Sequence, residues 1–380
     1  MIFESTPAAY SSVNDFLVYV AYDAHAADPV LYPNYKYVGE IFINGTQVFT
    51  GKYFPNPVSN RGIMDFGSVI REYVSTTFSP TSNVINAQEL GQGSWQLSIV
   101  IKIKEEYSGS IGPVVLTDSA RIYFNHFNGR ISNFTNLGNY NDDVLSDRVS
   151  SITLTFGSNF YFIPYFAEAS STYNVVITGG TSTRTKVITP SAANTMQILN
   201  ISPGAINAEY PGNFTTSTET YSVQVGSKTY VVNIACTGMY QNYMMHFMNQ
   251  WGGFESFLFN KVSKKTIEVE RKSWNQLPFK VNGSGVVSVK TGNVMHKQKT
   301  QFAGRFKEKL RLNSDWVTDA DYEFLQQLIT SADVFVEDAG TFYPVMITNN
   351  NYDRKIHLVD GLINFTIDVE FATTYKTQFA

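Results

Sequence analysis

Between Trp95 and Tyr107 the chain reads W-Q-L-S-I-V-I-K-I-K-E-E-Y, with Leu97, Ile99, Ile101 and Ile103 at every second position. A period of two places side chains on alternate faces of an extended backbone, so this stretch demands a sheet with one covered face. The run I-N-F-T-I-D-V-E-F at 363–371 makes the same demand near the other end. With 28 Phe, 23 Tyr and only 16% charged residues, the composition suits pleated, half-buried surfaces better than helices. The expected class is mainly β, with β-sandwich-like domains followed by a carboxy-terminal α+β domain.

At 380 residues the chain is long for one domain. Stretches 16–22 and 37–43 read as strands, and Asn44-Gly45 before T-Q-V-F-T is a two-residue hairpin signal. Asp65 ahead of Phe66, Val69, Ile70 and Tyr73 predicts a short helix, and 120–125 adds a strand. The polar run 128–146 reads as a loop or linker, which bounds an amino-terminal β domain at 1–146. A second β-sandwich domain is expected at 147–235, from strands near 151–156, 160–166, 173–178 and 195–201 and a hairpin 221–235 turning at Gly226-Ser227. The third, 236–380, holds the clearest helix: Thr318 precedes D-A-D-Y-E-F-L-Q-Q-L-I, with Asp319 and Asp321 in the first turn and Tyr322, Leu325, Leu328 and Ile329 as its apolar stripe. Strands at 333–337, 343–348, 355–359 and 363–371 follow.

One cysteine, Cys236, precludes an internal disulfide. The start M-I-F-E-S-T-P lacks the pattern of a secretory signal, so synthesis in the cytoplasm is expected. No apolar run reaches the ~18–20 residues of a bilayer-spanning helix, and no membrane insertion is expected. The net charge of −4 gives no overall case for a nucleic-acid binder. The charge is unevenly placed, however: residues 260–311 hold 13 Lys and Arg against 3 Glu, or +10, which leaves −14 for the rest.

Catalytic and metal signatures are weak. The histidines at 25, 126, 246, 296 and 357 have no helical metal spacing, and His246 reads as a satisfied strand residue. Gly283-Ser-Gly285 reads as a turn rather than a dinucleotide fingerprint. The acid pairs Asp142-Asp143, Asp319/Asp321 and Glu337-Asp338 could each serve a glycosidase, but loop, cap and turn explain them. No enzyme, metal or cofactor is expected.

Two other features stand out. In R-F-K-E-K-L-R-L, strand geometry puts Arg305, Lys307, Lys309 and Arg311 on one face and Phe306, Leu310 and Leu312 on the other. Four like charges in a row call for a partner. The expected partner is a neighbouring subunit, with the acids Asp315, Asp319, Asp321 and Glu323 as the contact surface of opposite sign; the alternatives are the same acids within one chain, or DNA. In N-Q-W-G-G-F-E-S-F-L-F-N, Gly252 and Gly253 allow a sharp turn that Trp251, Phe254, Phe257 and Phe259 lock with apolar area. The rival is a sugar platform, with Trp251 stacking and Glu255 accepting from hydroxyls.

The corner, the basic strand running into L-N-S-D-W, the helix W-V-T-D-A-D-Y-E-F-L-Q-Q-L-I, and the stretches Y-P-V-M-I-T-N-N and I-D-V-E-F-A-T-T-Y together resemble virion proteins of crAss-like and related phages of Bacteroidetes, namely tail hub or tail ring components. The resemblance covers about the last 140 residues; earlier residues, including P-N-P at 55–57 and G-I-M-D-F-G at 62–67, match only in style. It implies a non-enzymatic structural protein of the virion tail, forming a homo-oligomeric ring around the DNA path and contacting other virion proteins, with non-specific DNA contact if the ladder lines the lumen. The alternative is a carbohydrate- or receptor-binding surface module.

Overall fold

A computed structural model describes the chain except residues 81–84, 86, 90–94, 119–120, 125–141, 194, 236–239, 350–361, 373–374 and 380; at 10, 87–89, 121–124, 362–363 and 375–379 it describes the backbone only. The expected strand at 355–359, most of the linker 128–146, and Cys236, His126 and His357 therefore lie outside the described residues. The fold is mainly β, with several sheets and three α-helices among the described residues.

The chain divides into two compact units. Unit 1 comprises Met1–Thr237, His246–Phe257 and Glu323–Ala332; unit 2 comprises Gly238–Met245, Leu258–Tyr322 and Asp333–Ala380. The ranges 1–146 and 147–235 both lie in unit 1, and 236–380 is shared between the units.

Unit 1 begins with a three-stranded sheet, Ile2–Ser5, Val18–Tyr22 and Arg61–Asp65, and a second sheet around Gln96–Tyr107. Gln96–Tyr107 pairs antiparallel with Lys36–Ile43, which turns at Asn44 and Gly45, both at positive φ, into Thr46–Tyr53. Leu97, Ile99, Ile101 and Ile103 are all buried, in one core with Tyr19, Tyr37, Met64 and Phe66. Each such side chain removed from water contributes roughly 1.5–3 kcal/mol, so the alternation is a main driving force here. The helix after Asp65 is one short turn, Gly67–Arg71, whose first N–H donates to the Asp65 carboxylate at 2.9 Å.

The second half of unit 1 has a four-stranded sheet containing Phe162–Ala167 and Thr195–Asn200, and a five-stranded sheet containing Tyr173–Gly179, Thr220–Val225 and Lys228–Ala235. The Tyr165 and Tyr173 rings stack at 3.9 Å between them, and Tyr221 Oη donates to Ile201 O at 2.8 Å. Ala87–Glu89 adds to the four-stranded sheet, so the chain before 146 joins the structure after it. All six residues of Phe162–Ala167 are buried. Both faces of this strand are therefore covered, which its unbroken apolar run F-I-P-Y-F-A requires. A helix at Pro203–Glu209 is started by Ser202, whose Oγ accepts from Ala205 N, and by Pro203 in the first turn.

In unit 2 the sheet order is Val334–Asp338, Thr341–Ile347, Leu362–Phe371, Lys299–Thr318, Lys264–Asn275, with Tyr375–Phe379 also against Lys299–Thr318; these pairings are antiparallel. The helix Asp319–Thr330 follows at once, its residues through Tyr322 counted with unit 2 and those from Glu323 with unit 1. Thr318 Oγ1 accepts from Asp321 N at 3.2 Å and donates to Asp321 Oδ2 at 2.8 Å, and that carboxylate also accepts from Thr318 N. This is a reciprocal cap.

Candidate functional site: a basic hairpin arm without a core

Lys299–Thr318 is a 20-residue strand, far longer than the usual five or six. Its carboxy-terminal half lies between two strands and buries Leu310, Leu312 and Val317. Its amino-terminal half runs out with Lys264–Asn275 as a paired arm, in register from Lys264 opposite Arg311 to Asn275 opposite Lys299. Two small hairpins, Lys280–Val281 with Val287–Ser288 and Lys290–Thr291 with Val294–Met295, form the tip. Gln276 N donates to Gln298 O, and Asn282 Oδ1 accepts from Ser284 N and Val286 N, so the tip is ordered by local hydrogen bonds.

No residue from 264 to 299 is buried. Yet the arm carries Ile267, Trp274, Leu277, Val286, Val294 and Met295, all more than half exposed. Tyr375–Phe379 adds a third strand only along Ala303–Phe306; beyond it the arm is a two-stranded ribbon, which is marginal in water because its ladder hydrogen bonds merely exchange for bonds to water. A large apolar surface left uncovered among the described residues marks a docking element.

The cation ladder sits at the arm's base. Lys307 Nζ lies 2.7 Å from Glu370 Oε1 and Lys309 Nζ 2.5 Å from Glu268 Oε2, each reaching diagonally across the sheet. Arg311 faces Asp368 with two bonds of 2.6 and 2.8 Å. Lys309 holds the Glu268 carboxyl below its ordinary value, and Arg311 does the same for Asp368. Arg305 is exposed and, among the described residues, has no ion-pair partner. Three of the four ladder cations thus meet carboxylates of their own chain, on the flanking strands rather than at the acids next in sequence.

Those nearer acids do other work. Asp315 pairs with Lys261 at 2.9 Å. Burial raises its carboxyl, but the bonds from Lys261 and Trp316 N outweigh that and lower it. Asp321 caps the helix, while Asp319 and Glu323 are exposed.

The corner lies within unit 1. Gly252 takes φ 75°, and a Cβ on Gly253 would lie 2.4 Å from Pro164 Cβ. Asn249 organises the turn: its Oδ1 accepts from Trp251 N and Gly253 N, and its Nδ2 donates to Leu145 O and, at 2.6 Å, to Glu255 Oε1. Phe254 and Phe257 are buried and Trp251 is half-buried. Glu255 is 1% exposed, so its carboxylate is out of reach of a sugar on the surface. Burial pushes that carboxyl up to about 7. Arg148, which reading the sequence missed, lies 5.0–5.4 Å from the centres of the Tyr161, Phe257 and Phe324 rings and donates to Ser256 O at 3.1 Å.

His246 is fully buried against Phe78 and Phe162, with Nδ1 2.7 Å from Ser256 Oγ. Burial depresses its pKa to about 3, so it is a neutral core residue. Each acid pair has a backbone role: Asp142 Oδ1 accepts from Glu168 N and Ala169 N, Asp321 caps its helix, and Glu337 Oε1 accepts from Gly340 N. Asp23, His25 and Glu105 place ligand-type atoms within 4.8 Å of one another and are the described residues best placed to hold a cation. The sequence could not bring Glu105 to the other two. Hydrogen bonds already account for the trio, since His25 Nδ1 is 3.0 Å from Glu105 Oε2 and Asp23 Oδ1 accepts from His25 N at 2.9 Å.

Among the described residues no helix is long and apolar enough to cross a membrane. Comparison with models of known protein families finds no match, and comparison with curated proteins finds none.

Proposed function

We propose that this chain is a non-enzymatic structural protein of a bacteriophage tail, a hub or ring component that self-assembles around the DNA path and contacts other virion proteins. The supporting observation is the arm at 264–299, which exposes apolar side chains along its whole length and buries none. A surface of that kind is stabilised by joining a partner. The phage assignment rests on the sequence resemblance, which covers the corner, the arm's second strand and the capped helix. Repeated placement of one element against the next copy is the heterologous contact that closes a ring.

The test is the mass of the purified full chain by light scattering after size exclusion, with negative-stain imaging of the same fractions. Closed rings are expected. A monomer that binds glycans on an array would replace this reading with the surface-module alternative.

A further inference from the structure

The distal arm differs from the base in one respect that decides what it touches. From Arg271 to Lys299 there are six Lys and Arg and no Asp or Glu. Only Lys272 has an ion-pair partner among the described residues, Glu270 at 4.0 Å. Arg271, Lys280, Lys290, Lys297 and Lys299 point their charge into solvent beside Trp274, Leu277, Val286, Val294 and Met295. Complementary charge is in the same unit, where residues 312–322 and 333–380 hold ten acids against three Lys and Arg. There Asp315 and Asp319 flank Trp316, which is 63% exposed.

The two surfaces do not meet within one chain. Lys299 and Trp316 lie on one strand, separated by roughly 55 Å of contour at ~3.3 Å per residue. The strand between them is extended and paired with Lys264–Asn275 as far as Arg311. A Debye length of ~8–10 Å screens charges over such a distance. The acidic patch around Trp316 is therefore not what meets the tip's charge within one chain.

Building on the self-assembly reading, we propose that the distal arm of one copy docks on the acidic surface around Trp316 of a second copy, its cations against Asp319 and its apolar side chains against the indole, while Asp315 stays with Lys261 of its own chain. An acidic patch with an exposed aromatic ring suits such a tip on both counts. Nucleic acid suits it less well, because phosphates offer no surface for the valines, methionine and leucine. Donor and acceptor are different surfaces, so the contact is head-to-tail. The ladder at 305–311, compensated within its own chain, is not the contact.

Two variants test this in the full chain: an arm variant, Lys280→Glu/Lys290→Glu/Lys297→Glu, and an acceptor variant, Trp316→Ala/Asp319→Lys. All five side chains are exposed, so both variants are expected to keep the wild-type circular dichroism, the acceptor variant melting slightly lower because Asp319 lies in the first turn of its helix. Each alone is expected to self-associate at least about tenfold more weakly than wild type, and wild-type assembly is expected to weaken as salt rises. Mixed, the two retain one intact contact per pair and are expected to form a 1:1 dimer and nothing larger. An arm variant that assembles like wild type, or one that keeps its assembly while losing nucleic-acid retention, overturns the proposal and leaves self-assembly standing. A wild-type chain that stays monomeric at all concentrations overturns both.

Discussion

A methyl group added to Gly253 would sit 2.4 Å from Pro164 Cβ and 3.2 Å from Pro164 Cγ and Met196 Sδ. Ordinary carbon contacts are about 3.5–4 Å, so Gly253→Ala requires the corner and the strand Phe162–Ala167 to separate by about 1 Å. The proline ring cannot rotate away, and all six residues of that strand are buried. Overpacking of this kind costs about 1–3 kcal/mol. The smaller freedom of the unfolded chain returns up to about 1 kcal/mol. The expected net loss is about 1–2 kcal/mol, or a fall of about 2–8 °C in Tm for a unit of this size. Gly252→Ala places a side chain at φ 75° and is expected to cost about 1–2 kcal/mol for a different reason. Thermal and urea unfolding of both variants measure this. A Gly253→Ala protein as stable as wild type would refute the view that close approach of the backbone holds the corner.

Other outcomes follow from the buried and paired charges. The Glu255 carboxyl is raised from 4.5 to about 7 by burial, so its stabilising share is complete below pH 4.5 and is lost as pH rises through 7. His246, lowered from 6.5 to about 3 by burial, acts oppositely, its share being lost as pH falls below 6.5. Glu255→Gln is therefore expected to match wild type near pH 4.5 and to gain on it up to pH 8, by at most about 3 kcal/mol. A difference independent of pH in denaturant titrations would contradict this. Arg148→Met removes a bond to Ser256 O and three ring contacts, and is expected to lower unfolding free energy by about 2–3 kcal/mol. Lys307→Glu/Lys309→Glu sets like charges beside Glu370 and Glu268. It is expected to increase hydrogen exchange at the arm's base while assembly persists; loss of assembly with unchanged exchange would make the ladder an intersubunit contact after all.

Local signals carried much of the fold. The alternation through Leu97 to Ile103 and the Asn44-Gly45 turn appear as read, because each is set by neighbours in sequence, as is the cap of Thr318 on Asp321. The helix Pro203–Glu209 was legible from Ser202-Pro203 and was missed among the surrounding strands. What could not be read is whatever depends on partners distant in the chain. The ladder's compensation comes from Glu268, Asp368 and Glu370, placed by register. Arg148 meets its rings only through packing. The arm was hardest, since V-V-S-V-K and I-E-V-E read equally as core strands, and no local pattern says that nothing covers them.

The central claim, that this arm is an assembly element, is tested most directly by shortening it. Residues 276–298 replaced by a two-residue Asn-Gly turn keep the ladder ending at Asn275 and Lys299 while removing most of the exposed apolar and basic tip. Light scattering of this variant beside the full chain, at equal concentration, is expected to show a folded monomer where the full chain forms a closed oligomer. An arm-shortened protein that assembles to the same mass as the full chain would contradict the account.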